Sequence, residues 1–216
     1  MSYGPEDAAM DEMYERISDE LYPGHREQAV SEFTAERLQS FYLANPMVMR
    51  PAVDALQEGK RLRANGHFSA AVVFHTTAIE LLLKATLLQP IVHGLVHSAG
   101  LADVIVKHAV GQTGFDRYRS LLSSLFHDLA GLDLAKVARN GVSTPLVDES
   151  KRVQDLRNSI IHKGSTCDDA EADHAFDVAC AVYDEIVSPM LGSIGLVVTE
   201  KGRIERRKST EEKYEI

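Results

Sequence analysis

The chain has no tryptophan, and aromatic residues make up only 6% of its 216 positions. Its 44% hydrophobic content is therefore carried mainly by Ala, Leu and Val, enough for a real core and weighted toward helix. Cysteine is almost absent. Cys167 and Cys180 alone exclude a disulfide framework and fit a reducing cytoplasm with both thiols free. Positive charge is short as well: 23 Lys and Arg face 32 Asp and Glu, a net of −9. That balance argues against an indiscriminate nucleic-acid binder, which needs many phosphate contacts, though the distribution of charge softens the argument. The excess is local. Residues 1–20 hold seven acids and one Arg, and a second acidic run is Asp168, Asp169, Glu171, Asp173 and Asp177. The first twenty residues also lack an apolar run, so no signal peptide is expected there. No stretch approaches the ~18 apolar residues of a membrane span, and a soluble, cytoplasmic protein is expected. No internal repeat or low-complexity segment is present.

What is present reads as helix after helix. Residues 6–20 predict an acidic helix ended by Pro23-Gly24. Residues 31–44 predict a short helix carrying Phe33, Leu38, Phe41 and Tyr42, stopped by Asn45-Pro46. Pro51 opens the next helix, which carries Val53, Leu56 and Leu62 and has Asn65-Gly66 at its end. Residues 67–89, HFSAAVVFHTTAIELLLKATLLQ, are apolar on nearly every face, as in a helix at the centre of a bundle, with Pro90 as the expected stop. Its polar exceptions Thr76, Thr77, Glu80 and Lys84 form one stripe, and Glu80 to Lys84 is the favourable order for an ion pair. Two more helices are expected over 99–110 and 115–130. Ser150 is the expected N-cap of a helix running to Lys163, with Gly164 as its stop. Residues 169–188 follow, with Ala175, Val178, Ala179, Val182 and Ile186 on one stripe and Pro189 after them. LVVTEKGRIERR then reads as a β-hairpin turning at Lys201-Gly202. The expected fold is all-α: an up-and-down helical bundle with an N-terminal helical extension and a short C-terminal β-hairpin. The segments are an acidic extension over 1–45, the bundle over 46–192, and the hairpin with a charged tail over 193–216.

The chemistry points to one helix end, DLRNSIIHKG. Arg157 and His162 are separated by four residues, which on a helix is a rise of ~7.5 Å and a rotation of ~500°. They do not share a face closely, but a long Arg side chain can converge with His on one small group. Asn158 can fix a side chain or a substrate oxygen. The set suits RNA cleavage through its own 2′-OH. Histidine serves as base or acid near neutral pH, and the Arg fork neutralises the charge that develops on phosphorus. No metal or cofactor is needed. An Arg-x4-His spacing also arises by chance, so its setting carries much of the weight.

That setting resembles the HEPN superfamily (higher eukaryotes and prokaryotes nucleotide-binding domain). The resemblance rests on AVDALQEGKRLRANGHFSAAVVFHTTAIELLLKATL and on LRNSIIHKG, and it covers roughly residues 50–190. It implies a helical bundle with an Arg-x4-6-His motif and a polar residue straight after the Arg, positions matched by Arg157, Asn158 and His162. It implies a homodimer with two motifs facing one another, and a metal-independent endoribonuclease acting as a toxin or in antiphage defence. The family also has inactive members. The alternative is thus a non-catalytic module that binds a nucleotide and partners an antitoxin or a larger defence complex.

Other residues are secondary. Glu80, Lys84 and Lys163 are candidates to support the site or contact RNA; Glu80 pairs either with Lys84 or, across the bundle, with Arg157. His93 and His97 have a metal-ligand spacing, but Gly94 lies between them and no Cys or carboxylate lies close, so no metal is expected. His75 reads as a satisfied core residue, and Ser159 lies in no recognisable nucleophile motif. Lys201, Arg203, Arg206, Arg207 and Lys208 fit either RNA phosphates or a charged hairpin edge that blocks aggregation.

Overall fold

The computed structural model describes residues 25–95 and 130–207, with single positions at 13, 123 and 127. The helices expected over 6–20, 99–110 and 115–130 lie outside these residues, apart from those single positions and residue 130, as do His97 and Lys208. Within them the chain is mostly helical, with one small antiparallel sheet.

Helix α1 runs His25–Ala44, starting six residues earlier than expected. Helix α2 spans Arg50–Ala64 with Pro51 in its first turn, and Gly66 leaves it with φ of +78°. Helix α3, Phe68–Leu81, does not end at Pro90. It passes into a π-helical stretch, Leu82–Leu88, and then into α4, Gln89–Leu95. Proline has no N–H for the carbonyl four residues back, and its ring crowds that carbonyl. The wider register removes the conflict: the Gln89 N–H bonds to the Lys84 carbonyl, five residues back. The Thr86 carbonyl, which Pro90 cannot serve, accepts from the Tyr42 hydroxyl of α1 at 2.6 Å. Tyr42 is wholly buried, and burial pushes its pKa far up, so it remains a donor. Replacing Tyr42 by Phe strands that carbonyl and is expected to cost about 1–3 kcal/mol. The check is a lower urea midpoint at unchanged slope.

The same solution recurs at Pro189. Helix α5 spans Leu146–Lys163, and α6 spans Asp169–Val182. A π-helical Tyr183–Val187 follows α6, and then α7, Ser188–Ser193, has Pro189 in its first turn. Here the Ser188 N–H reaches the Tyr183 carbonyl. The start of α5 also differs from expectation. It begins after Pro145, four residues before Ser150, whose hydroxyl donates instead to the Leu146 carbonyl at 2.8 Å. Its end is as expected, at Gly164 with φ of +67°. Part of the acidic run caps α6. Asp168 accepts from the Glu171 N–H at 2.9 Å, while Glu171 accepts from the Asp168 N–H at 3.1 Å.

Helix α3 packs on α2, α5 and α6 at once, which explains its apolar character. By length and composition Phe68–Leu87 could cross a membrane, contrary to expectation, because Glu80 and Lys84 are the only Asp, Glu, Lys or Arg in it; 56% of its most apolar window is buried in the bundle. One apolar cluster spans all three expected segments, from Leu38 and Tyr42 through Leu87, Leu146 and Ile186 to Leu196 and Ile204. The last two belong to strands β1, Leu196–Val198, and β2, Ile204–Arg206, paired antiparallel with Val198 opposite Ile204. Lys201 and Gly202 turn the hairpin with φ of +58° and +78°.

Where α2, α3 and α6 meet, His75 is fully buried, and, contrary to the expectation of a satisfied core residue, neither ring nitrogen has a hydrogen-bond partner among the described residues. A Cβ on Gly59 would lie 2.3 Å from its ring, so only glycine allows this approach. Phe176 covers the ring at 5.4 Å between centroids. Burial lowers the His75 pKa, and the Arg63 charge lowers it further; the Ala172 backbone and Asp173 oppose both. The folded protein therefore resists a proton that the unfolded chain accepts near pH ~6.5. Stability from this site is complete above that pH and falls as pH drops below it. Urea midpoints should decline between about pH 6.5 and 5, before the carboxylates titrate, and His75→Leu should flatten that decline.

Candidate active site

Helix α5 runs antiparallel to α3, and two contacts set its register. Gln154 donates to Glu80 at 3.1 Å, and at the far end the Cys167 N–H donates to the Ser69 hydroxyl at 3.2 Å. Glu80 is thus engaged by Gln154, and neither Lys84 nor Arg157 forms an ion pair with it among the described residues. Glu80 and Lys84 line one side of a narrow cleft, Lys151 and Gln154 the other. The cross-helix amide comes within reach once α5 lies along α3, and an amide needs no charge partner.

Arg157 lies almost one turn beyond Gln154 and is half-buried. Its Nη1 donates to Asn158 Oδ1 at 3.0 Å. Its Nε is buried and has no acceptor. No carboxylate pairs with Arg157 among the described residues, although the chain has nine more acids than bases. Arg152, Arg206 and Arg207 also lack an ion pair among the described residues, but they are exposed, whereas five other arginines are paired. Arg50 pairs with Asp54, Arg61 with Glu58, Arg63 with Asp169 and Asp173, Arg139 with Glu149, and Arg203 with Glu205. A buried donor left unmet costs about 1–3 kcal/mol, so it calls for an explanation. The Arg157 guanidinium is thus oriented through Nη1 by Asn158 Oδ1 and has no ion pair among the described residues.

His162 is exposed in the last turn of α5, flanked by exposed Lys163 and by Ile161, which is 48% exposed. One straight helix carries both motif residues, so Arg157 and His162 point about 140° apart around its axis. A single chain thus presents the arginine half-buried and the histidine to solvent.

Other candidates are less suited. Burial pushes both cysteine thiols up, away from the thiolate that a nucleophile requires. His93 stacks on Phe41 at 5.2 Å, and no group of metal-ligating side chains occurs among the described residues. On the hairpin, Arg203 bonds to Glu205 at 2.7 Å, while Arg206 and Arg207 are exposed.

One further cluster lies away from the Arg157–His162 motif. Arg139 grips Glu149 through Nε at 2.9 Å and Nη2 at 2.8 Å, and it reaches Asp177 at 3.5 Å and His174 at 3.4 Å. The Arg139 guanidinium holds Glu149 below the usual carboxylate range. The available clue was a glutamate beside Leu146, Val147 and Val153, on the helix stripe that faces the core. Comparison with protein-family models, curated proteins and solved structures finds no match for the chain.

Proposed function

We propose that this chain is a metal-independent endoribonuclease that cleaves RNA through its 2′-OH, with the HEPN-like bundle as its scaffold. The observation that carries the reading is Arg157: a half-buried guanidinium with an unmet Nε donor and no carboxylate partner. A phosphodiester offers its oxygens to the guanidinium, which is only half-buried and which Asn158 engages through Nη1 alone, and an arginine fork matches two phosphate oxygens. Asn158 holds that fork in place. His162 removes the 2′-OH proton as the oxygen attacks phosphorus. Arg157 offsets the charge that builds there, and an acid protonates the departing 5′-oxygen.

One histidine cannot be base and acid in the same step. A twofold axis near the end of α5 brings two His162 and two Arg157 together, one histidine in each role. The exposed Ile161 beside His162 offers apolar surface for such a contact. In this reading the protein is a cytoplasmic homodimer acting on RNA as a toxin or antiphage effector, under an antitoxin or a defence-complex partner. The acidic net charge of −9 favours a second reading, a nucleotide-binding module without catalysis.

The two readings separate in one assay. The enzyme cuts single-stranded RNA with EDTA present, whereas a binding module retains nucleotide and leaves RNA intact. Loss of cutting in EDTA, with recovery on adding a divalent metal, overturns the mechanism. Arg157→Lys keeps the charge and loses the planar fork; cleavage should fall by about 100-fold or more with little change in stability. Equal rates for the two proteins mean that a point charge suffices.

A further inference from the structure

A second concave feature owes nothing to α5. Helices α2 and α6, the π-helical stretches that follow α3 and α6, and the hairpin enclose a groove of about 290 Å³. Ala52 and Leu82 are almost fully buried within it, and Val53, Leu56 and Val198 form its apolar walls. Gly202 keeps the hairpin tip against α2, since a Cβ there would lie 2.8 Å from Val53 Cγ2. The volume is at the small end of the range for ligand sites, and such sites join apolar walls to a few polar groups.

Polar groups stand on both sides: on the hairpin Thr199, whose hydroxyl donates to the Arg203 carbonyl, and opposite it three more. Cys180, Tyr183 and Asp184 come from α6 and its π-helical continuation. Asp184 is exposed and has no ion-pair partner among the described residues, unlike Asp54, Asp169, Asp173 and Asp177. Its charge acts on both neighbours: after burial, it is the next cause that raises the Cys180 thiol and the Tyr183 hydroxyl. Lys60, which acts on Cys180 in the opposite direction, is held 5.8 Å over the Phe176 ring. The groove therefore has an apolar interior and an uncompensated negative charge at its mouth.

We infer that this groove binds a small organic cation, with an apolar body against Val53, Leu56 and Val198 and an ammonium group at Asp184. Burial of the body supplies most of the affinity. The exposed carboxylate supplies a modest preference for the charged head, because water screens it. The site is independent of Arg157 and His162.

The test uses three probes of one shape: 2-phenylethylamine, 2-phenylethanol and 3-phenylpropionate. Calorimetry or chemical-shift titration of the full chain is expected to show millimolar or tighter binding, with the amine about three- to tenfold ahead of the alcohol. The carboxylate should be weakest. In Asp184→Asn the lead of the amine should vanish while the alcohol binds as before. Saturating amine should slow alkylation of Cys180 by N-ethylmaleimide about tenfold and leave Cys167 unchanged, read by peptide mass. Asp184 is exposed, so the variant should fold; if it does not, the wild-type probe series and the Cys180 footprint decide. Absence of binding, equal affinity for all three probes, a lead that survives in Asp184→Asn, or an unprotected Cys180 overturns the inference.

Discussion

RNA cleavage by His162→Ala is expected to fall by about 10²–10⁴-fold, the range for loss of a positioned acid or base. Stability should barely change. His162 is exposed in the final turn of α5, and no hydrogen bond to it occurs among the described residues; substitutions at such positions stay within about 0.5 kcal/mol. The two measurements belong together: RNA 5′-end mapping for cleavage, and a urea midpoint for the fold. An undiminished rate removes His162 from the mechanism. A parallel loss of stability and rate assigns it a structural role instead. The shared-site reading adds a mixing result. Arg157→Ala chains combined with His162→Ala chains contain one intact residue of each type per dimer and should regain part of the lost rate. A monomer with full nuclease activity, shown by light scattering, rules out a composite site. Because Arg157 lies about 140° around the helix from His162, this result also tests whether a partner is needed to bring the two chemistries together.

Arg139→Ala is expected to give the largest loss of stability, about 3–5 kcal/mol, with the lower end favoured because Arg139 retains 20% exposure. The cause is the residue left behind. The Glu149 side chain is only 4% exposed, and without Arg139 its charge sits beside Leu146, Val147 and Val153 with no comparable partner. The double change Arg139→Met with Glu149→Leu should recover much of the loss, since a well-packed apolar pair often matches a buried ion pair. Urea midpoints of the single and double variants decide this; equal losses in both mean that the guanidinium contributes through packing alone. The pH dependence has a defined sign. Glu149 is held below its unfolded pKa, so its contribution is full above that value and disappears as pH falls through the depressed one. This loss lies below the His75 window and should vanish in the double variant. The effect reaches beyond one pair, because Arg139 ties residues 131–145 to α5 and α6, and fully buried Leu134 belongs to that stretch.

Local chemistry was readable directly from the chain. Pro51 at the start of α2, Asn65-Gly66 at its end, Gly164 after Lys163 and the Lys201-Gly202 turn each depend on the backbone preferences of one or two residues, and each appears where expected. The apolar run from Phe68 likewise marked α3 as the central helix before any partner was known. What remained hidden depends on residues far apart. Pro90 reads as a stop because proline cannot serve the Thr86 carbonyl; only the packing of α1 brings the Tyr42 hydroxyl, 44 residues away, to serve it. Glu80 reads as half of a Glu80–Lys84 pair because those residues are one turn apart, yet Gln154 lies 74 residues away and takes that place when α5 aligns with α3. His75 needed Gly59 from another helix, and Glu149 needed Arg139 from an irregular segment with no periodicity to announce it. The motif shows the same division. Its residue types and spacing were visible in sequence, whereas the unmet donor of Arg157 appears only in three dimensions, because whether a charge has a partner depends on every element packed around it.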